Sequence, residues 1–193
     1  MCYISTVKLI IGIGNPGEEY DNTRHNVGFL AVDAIANKDK INFSFEKKFN
    51  AEITKARLND KPVILAKPHT FVNKSGEAVK KLKLFYKAKL EDIIIVQDDL
   101  DIEFGNFKMS FGKDSGGHRG IDSVISFLKT NKFWRLRIGT ANRKLTSARH
   151  QANLKSKKEA VGNFVLAKFT PNETKEIKKI IKQALVRLEE TIR

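Results

Sequence analysis

A single cysteine, Cys2, in 193 residues rules out an intramolecular disulfide and fits a reducing compartment. No apolar run approaches the roughly 20 residues of a membrane span. The N-terminus also lacks the charged-then-apolar pattern of a secretory leader, so a soluble cytoplasmic protein is the expectation. Histidine is scarce: His25, His69, His118 and His150 are the whole supply. Acid is scarce in one part of the chain. Residues 1–131 carry 20 Lys/Arg against 17 Asp/Glu, whereas residues 132–193 carry 16 against 5. The net charge of +14 is thus concentrated in the last third, which suits a polyanionic partner, nucleic acid above all, although charge alone fits a merely soluble lysine-rich surface about equally well. A hydrophobic share of 41% is ordinary for a globular chain, and the length suits one domain over residues 1–193.

The stretch Val7 to Gly28, VKLIIGIGNPGEEYDNTRHNVG, organises the remainder. Its apolar run to Ile13 reads as a buried strand, stopped by the turn Gly14-Asn15-Pro16-Gly17. From Thr23, a candidate cap, Phe29, Val32 and Ile35 recur at helical spacing. Asn15 therefore ends a strand and His25 stands near the start of the next helix, an edge where α/β sheets bind ligands. Gly12, Gly14 and Gly17 also spell a dinucleotide fingerprint, but Glu18 and Glu19 repel a pyrophosphate and Pro16 removes an N–H that would cradle it. The acidic residue expected about 20 positions on at the end of a second strand is missing as well.

Further strands are predicted at Ile41 to Phe45, Ala51 to Leu58, Pro62 to Ala66, Asp92 to Gln97, Phe107 to Phe111 and Trp134 to Gly139. Helices are predicted from Asn73 or Ser75, either one a candidate cap, to about Lys87, from His118 to Leu128, and from Glu173 to Ile192. The last has Ile177, Ile180, Ile181, Ala184, Leu185 and Leu188 as its apolar stripe. Thr140 to Lys158 holds six basic residues and no acid and reads as an exposed, mobile segment. The fold class is α/β: a single domain with a mixed, twisted sheet flanked by helices and an amphipathic C-terminal helix.

His25 shares its crevice with Asn15, and if the strands ending at Ile13 and Gln97 are neighbours, Asp98 reaches its ring. A carboxylate on one imidazole nitrogen fixes the tautomer and raises the basicity of the other, as a general base requires. The run Asp98-Asp99-Leu100-Asp101 also fits a turn or a Mg²⁺ site, the metal reading being weaker because only Asp98 sits at the strand end. His69 and His150 read as structural or solvated, and His118 opens a helix after a glycine-rich loop. No serine or cysteine has a nucleophile's context, which leaves water activated by histidine.

The motifs GIGNPGEEYDNTRHNVGF, KPHTFVNKSGEAV, DDLDIEFGNFKMSFGKDSGGHRGIDSVI and FWRLRIG, in that order and followed by NFVLAKFTPNE, resemble the bacterial-type peptidyl-tRNA hydrolase family. The likeness runs from about Lys8 into the C-terminal helix. It implies hydrolysis of the ester between a peptide and the 3′ ribose of tRNA, recycling tRNA from aborted translation, with no cofactor and no metal. It implies His25 as base and Asp98 as its orienting partner. Asn15, Tyr20, Phe71, Asn73, His118 and Arg119 would meet the substrate, and Lys108, Arg137, Arg143 and Lys144 the tRNA. Residues 140–158 would form a lid, and a monomer with no membrane contact is expected. Three departures stand out. Arg119 replaces the usual Asn after His118, Ser110 stands where a phosphate-binding Lys is common, and Thr140-Ala141-Asn142 replaces the usual Gly and Arg/Lys-Pro pattern. Two rivals are an RNA-binding protein that has lost hydrolysis, which need not keep Asn15, His25, Asn73 and Asp98 together, and a nucleotide-dependent oxidoreductase, which should bind NAD or FAD.

Overall fold

The computed structural model describes residues 7–143, 145–146 and 153–192. Seven strands form one sheet: β1 (Lys8–Gly12), β2 (Ser44–Glu46), β3 (Ala51–Leu58), β4 (Lys61–Pro68), β5 (Ile93–Glu103), β6 (Phe107–Phe111) and β7 (Trp134–Ala141), in the order β2-β3-β4-β1-β5-β7-β6. The central strands β4, β1, β5 and β7 run parallel, and the flanking β2, β3 and β6 are antiparallel to their neighbours. Five helices are described: α1 (Val27–Lys38), α2 (Ser75–Phe85), α3 (Arg119–Leu128), α4 (Leu154–Leu166) and α5 (Pro171–Thr191).

Strand alternation divides the core between the two faces. Ile10, Leu65, Ile94, Val96 and Leu136 pack with α1 and the Ile177, Ile180, Ile181, Ala184, Leu188 stripe of α5. Leu9, Ile11, Ile13, Ile64 and Ile95 pack on the other face with Val79 and Leu82 of α2 and Ile121 and Val124 of α3. Between β1 and α1 the backbones almost touch. A Cβ on Gly12 would lie 2.6 Å from the carbonyl carbon of Gly28, and one on Gly28 would lie 2.6 Å from the oxygen of Ile13. The first glycine of the GxGxxG pattern therefore serves helix-on-strand packing.

Several expectations are corrected. Only Ser44–Glu46 of the Ile41–Phe45 region pairs with β3, while Ile41 and Phe43 pack sideways on the core. Thr23 does not cap a helix through its side chain. Its hydroxyl donates to Tyr20 O (2.8 Å), and a 3₁₀ turn, Arg24–Asn26, precedes α1. Neither Ser75 nor Asn73 caps α2, because the turn Val72–Lys74 leads directly into it and the Ser75 hydroxyl donates back to Val72 O (2.8 Å). That helix stops at Phe85, and Lys87 takes a left-handed φ of 50°.

Asp98 does not end its strand. β5 continues to Glu103 along β7, whereas its pairing with β1 stops at Val96. Asp98 thus lies where the sheet opens on one side. The segment 140–158 is not uniformly exposed either. Thr140 is fully buried in β7, Leu145 is buried, and Leu154 to Lys158 open α4. Lys144 and residues 147–152, including His150, lie outside the described residues.

Candidate active site

The chain leaves β1 toward β4 and returns past it to β5, so the carboxyl ends of β1 and β5 border a crevice at the switch in strand order. His25, in the 3₁₀ turn before α1, directs Nδ1 to Oδ1 of Asp98 at 2.7 Å. His118, at the start of α3, places Nε2 3.0 Å from the same oxygen, and the two rings lie 5.1 Å apart. Asp98 is 1% exposed. Burial favours its neutral form, but the two imidazoles more than offset this and hold its carboxyl well below the usual range. Burial also opposes charge on His25. The Asp98 carboxylate outweighs it through its charge and hydrogen bond, so the imidazole pKa lies above its ordinary 6.5, with Arg119 pulling it partly back.

The tautomers follow from the wiring. His118 Nδ1 accepts from the backbone N–H of Gly120 (3.1 Å) and Ile121 (3.4 Å), where a helix N-terminus is normally capped by an oxygen, so its proton sits on Nε2 and points at Asp98. His25 donates from Nδ1 to the same carboxylate, which leaves its Nε2 lone pair to the cleft. His25, Asp98 and His118 also present three ligand atoms within 4.8 Å of one another, close enough for a metal ion. The wiring fits one poorly. Metal-binding imidazoles donate their second N–H, whereas His118 would face two backbone donors with that nitrogen. Nor do the neighbouring carboxylates converge for Mg²⁺. Asp99 Oδ2 pairs with Arg137 Nε at 2.7 Å, and its Oδ1 accepts from Asp101 N at 2.9 Å.

Asn15 is buried beside the pair. Its Oδ1 accepts from Val72 N (2.9 Å), which sets the amide so that Nδ2 is the donor left for the cleft it lines. Asn26, which the sequence reading missed, brackets it: Asn26 Oδ1 accepts from Asn15 N and Nδ2 donates to Asn15 O, both at 2.9 Å. No spacing rule marks Asn26, since its role exists only once the turn after β1 folds back on it. Tyr20 and Phe71 stack edge to face at 6.3 Å on the cleft wall, with Asn73 and Arg119 on the same lining. The cleft encloses about 820 Å³ and is walled opposite by α4, through residues such as Lys157, Lys158, Val161 and Val165.

The remaining expected residues lie elsewhere. Lys108 of β6 is in register with Arg137 of β7 at the sheet edge. Ser110 is in register with Arg135, a nearly buried cation that the sequence reading overlooked because alternation disguised it as surface. Arg143 is exposed beyond β7. His69 is outside the cleft and bonds Glu52 at 2.8 Å, as a structural histidine would.

Comparison with known proteins places the chain among relatives of one family. The family model described as peptidyl-tRNA hydrolase matches residues 9–193. The chain is 42% identical over 179 residues to a peptidyl-tRNA hydrolase of Aquifex aeolicus, covering 93% of this chain and 86% of that protein. It is 47% identical over 135 residues to one from Neisseria meningitidis, covering 70% of each. A crystal structure of peptidyl-tRNA hydrolase from Acinetobacter baumannii superposes with a TM-score of 0.83 at 33% identity, covering 98% of this chain and 90% of that one. Matched by that family's model over residues 9–193 and folded like its solved structures, this chain belongs to the peptidyl-tRNA hydrolase family.

Proposed function

We propose that this hydrolase cleaves the ester between a peptide and the 3′ ribose of tRNA with His25 as general base and Asp98 as the carboxylate that orients it. The 2.7 Å bond from His25 Nδ1 to Asp98, at the floor of a cleft lined by Asn15, carries the reading. His25 Nε2 takes a proton from water as the water oxygen bonds to the ester carbonyl, and Asp98 stabilises the imidazolium that forms. Negative charge on the carbonyl oxygen is met by the Asn15 Nδ2 donor and by Asn73 on the same wall. The intermediate collapses by breaking the bond to the ribose oxygen, which receives the proton from His25. Free tRNA and a peptide carboxylic acid leave.

Tyr20 and Phe71 supply an apolar wall for the peptide, and His118 holds Asp98 from the far side. Lys108 and Arg137 at the sheet edge suit tRNA phosphates, with Arg143 and Lys144 further along the chain. Where Ser110 stands in place of a lysine, the nearly buried Arg135 opposite it adds positive field without direct contact. Of segment 140–158, the part that opens α4 lines the cleft and acts with the rest of that helix as the lid. Every group the reaction needs comes from one chain, which supports action as a monomer, and tRNA as substrate supports the cytoplasm.

The functional test is release of an N-blocked aminoacyl group from tRNA with EDTA present and unblocked aminoacyl-tRNA as control. Release from the blocked substrate alone is expected. Tight tRNA binding without release would move the protein to the RNA-binding reading.

The pH dependence adds a second check. The base works as neutral imidazole, so kcat/KM falls as pH drops through a His25 pKa above 6.5. The Arg119 charge disfavours the imidazolium, and Arg119→Asn removes it. The acid limb of the kcat/KM profile then moves to higher pH. An unmoved or lowered limb would dissociate Arg119 from His25.

A further inference from the structure

Arg24 immediately precedes His25 and is 2% exposed, a rare setting for a guanidinium. Its Nη1 donates to the carbonyl oxygens of Ala167 (3.0 Å) and Lys168 (3.1 Å), and its Nη2 reaches both oxygens of Glu173 at 2.8 and 2.7 Å. The rings of Phe164 and Phe169 lie 4.7 and 5.2 Å from its guanidinium carbon. Backbone contacts reinforce the joint: Arg24 N donates to Ala167 O (3.2 Å) and Phe169 N to Asn22 O (2.9 Å). Glu173 also accepts from Thr170 N (2.9 Å), closing the capping box of α5, and from Asn142 Nδ2 (3.0 Å) beyond β7. Four segments meet at this one ion pair: the turn carrying His25, the end of α4, the start of α5 and the exit from β7.

A buried pair is a poor way to gain stability, since apolar groups of similar volume often do as well. What it supplies is direction. The planar fork fixes two carbonyls and one carboxylate at set angles, which a lysine cannot do. The groups it fixes stand on the two sides of the cleft, because α4 forms one wall and His25 belongs to the other.

We infer that Arg24 is a positioning residue: through its pairing with Glu173 it sets α4 against the His25 turn, so that turnover depends on this joint although neither side chain lines the cleft. The inference rests on His25 as the base. Burial raises the Glu173 carboxyl, but Thr170 and Arg24 more than offset this and keep it below the usual range, so the joint stays charged across neutral pH.

The test compares the full chain with Glu173→Gln, Arg24→Lys and the double variant, measuring kcat, the Kd for deacylated tRNA, and hydrogen exchange over residues 164–169. Displacing a reacting group by about 1 Å costs up to roughly a hundredfold in rate, so kcat is expected to fall by about tenfold or more. The tRNA Kd should hold within about twofold while exchange at 164–169 quickens, and the two substitutions should be non-additive. Glu173→Gln keeps an oxygen for Arg24 and Thr170, so it decides the matter if Arg24→Lys fails to fold. Wild-type kcat in Glu173→Gln, or a lowered kcat with unchanged exchange at 164–169, would overturn the inference. His25→Ala run alongside separates the two readings: turnover retained there would sink the base assignment, whereas the joint is judged on Glu173→Gln.

Discussion

His25→Ala is expected to lower kcat by about 10²- to 10⁴-fold, the range general base catalysis contributes. The affinity for tRNA should change by less than about twofold, because the phosphate contacts assigned to Lys108 and Arg137 lie on the β6–β7 edge rather than in the cleft. The size of the loss follows from how completely the site commits to one nitrogen. Asp98 is 1% exposed and accepts from His25 Nδ1 at 2.7 Å, so the only basic lone pair of that ring faces the cleft. His118 cannot take over, because its Nδ1 is held by two backbone N–H groups and its Nε2 proton is directed at Asp98. Asp98→Asn is the companion measurement. Removing the carboxylate leaves burial as the main influence on His25, so the acid limb of kcat/KM moves to lower pH while the rate falls. Turnover retained in His25→Ala, measured by release of a blocked aminoacyl group, would remove this residue from the chemistry.

Gly12→Ala is expected to destabilise the fold by about 3 kcal/mol or more, the top of the usual range for overpacking a core and beyond. The added carbon would lie 2.6 Å from the carbonyl carbon of Gly28, and no flexible side chain is there to yield. The clash is between the added carbon on β1 and the backbone of α1, two elements that pack in the core. Set against a total stability of roughly 5–15 kcal/mol, that is a large fraction. For a chain of this size about 3 kcal/mol corresponds to a Tm lower by roughly 6–12 °C, and more if the cost is larger. Gly162→Ala in α4 is the control: its added carbon meets nothing within 4 Å, and alanine is the better helix former. Equal Tm values for Gly12→Ala and the parent would mean that α1 does not sit so close to the sheet.

Much of the fold is legible residue by residue. Val7 to Ile13 and Asp92 to Gln97 announce β1 and β5 as apolar runs bounded by turn or polar residues, and the stripe from Ile177 to Leu188 announces α5. The local errors have one cause. Thr23 and Ser75 look like helix caps, but each helix is entered through a 3₁₀ turn, and each hydroxyl bonds back to a carbonyl three residues earlier. The expectation for 140–158 holds for the exposed Arg143, Thr146 and 153–155 but not for two residues. Low apolar content concealed Thr140 and Leu145, whose burial depends on what packs over them rather than on their neighbours in sequence.

The sequence by itself determined the class of fold, the positions of the two central strands, the basic balance of the last third, and His25 and Asp98 as the pair to watch. These are properties of short windows, where periodicity, turn chemistry and charge act locally. Only the tertiary structure decided that His25 and Asp98, 73 residues apart, meet at 2.7 Å, and that His118 is a third member held by the N-terminus of α3. It also decided that Asn26 fixes Asn15 and that Arg24 closes on Glu173 across 149 residues. Those contacts depend on strand order, since β1 and β5 are neighbours only because the chain passes back across β1 after β4. Strand order is fixed by burying both faces of the sheet at once, a condition on the whole chain that no window of it contains.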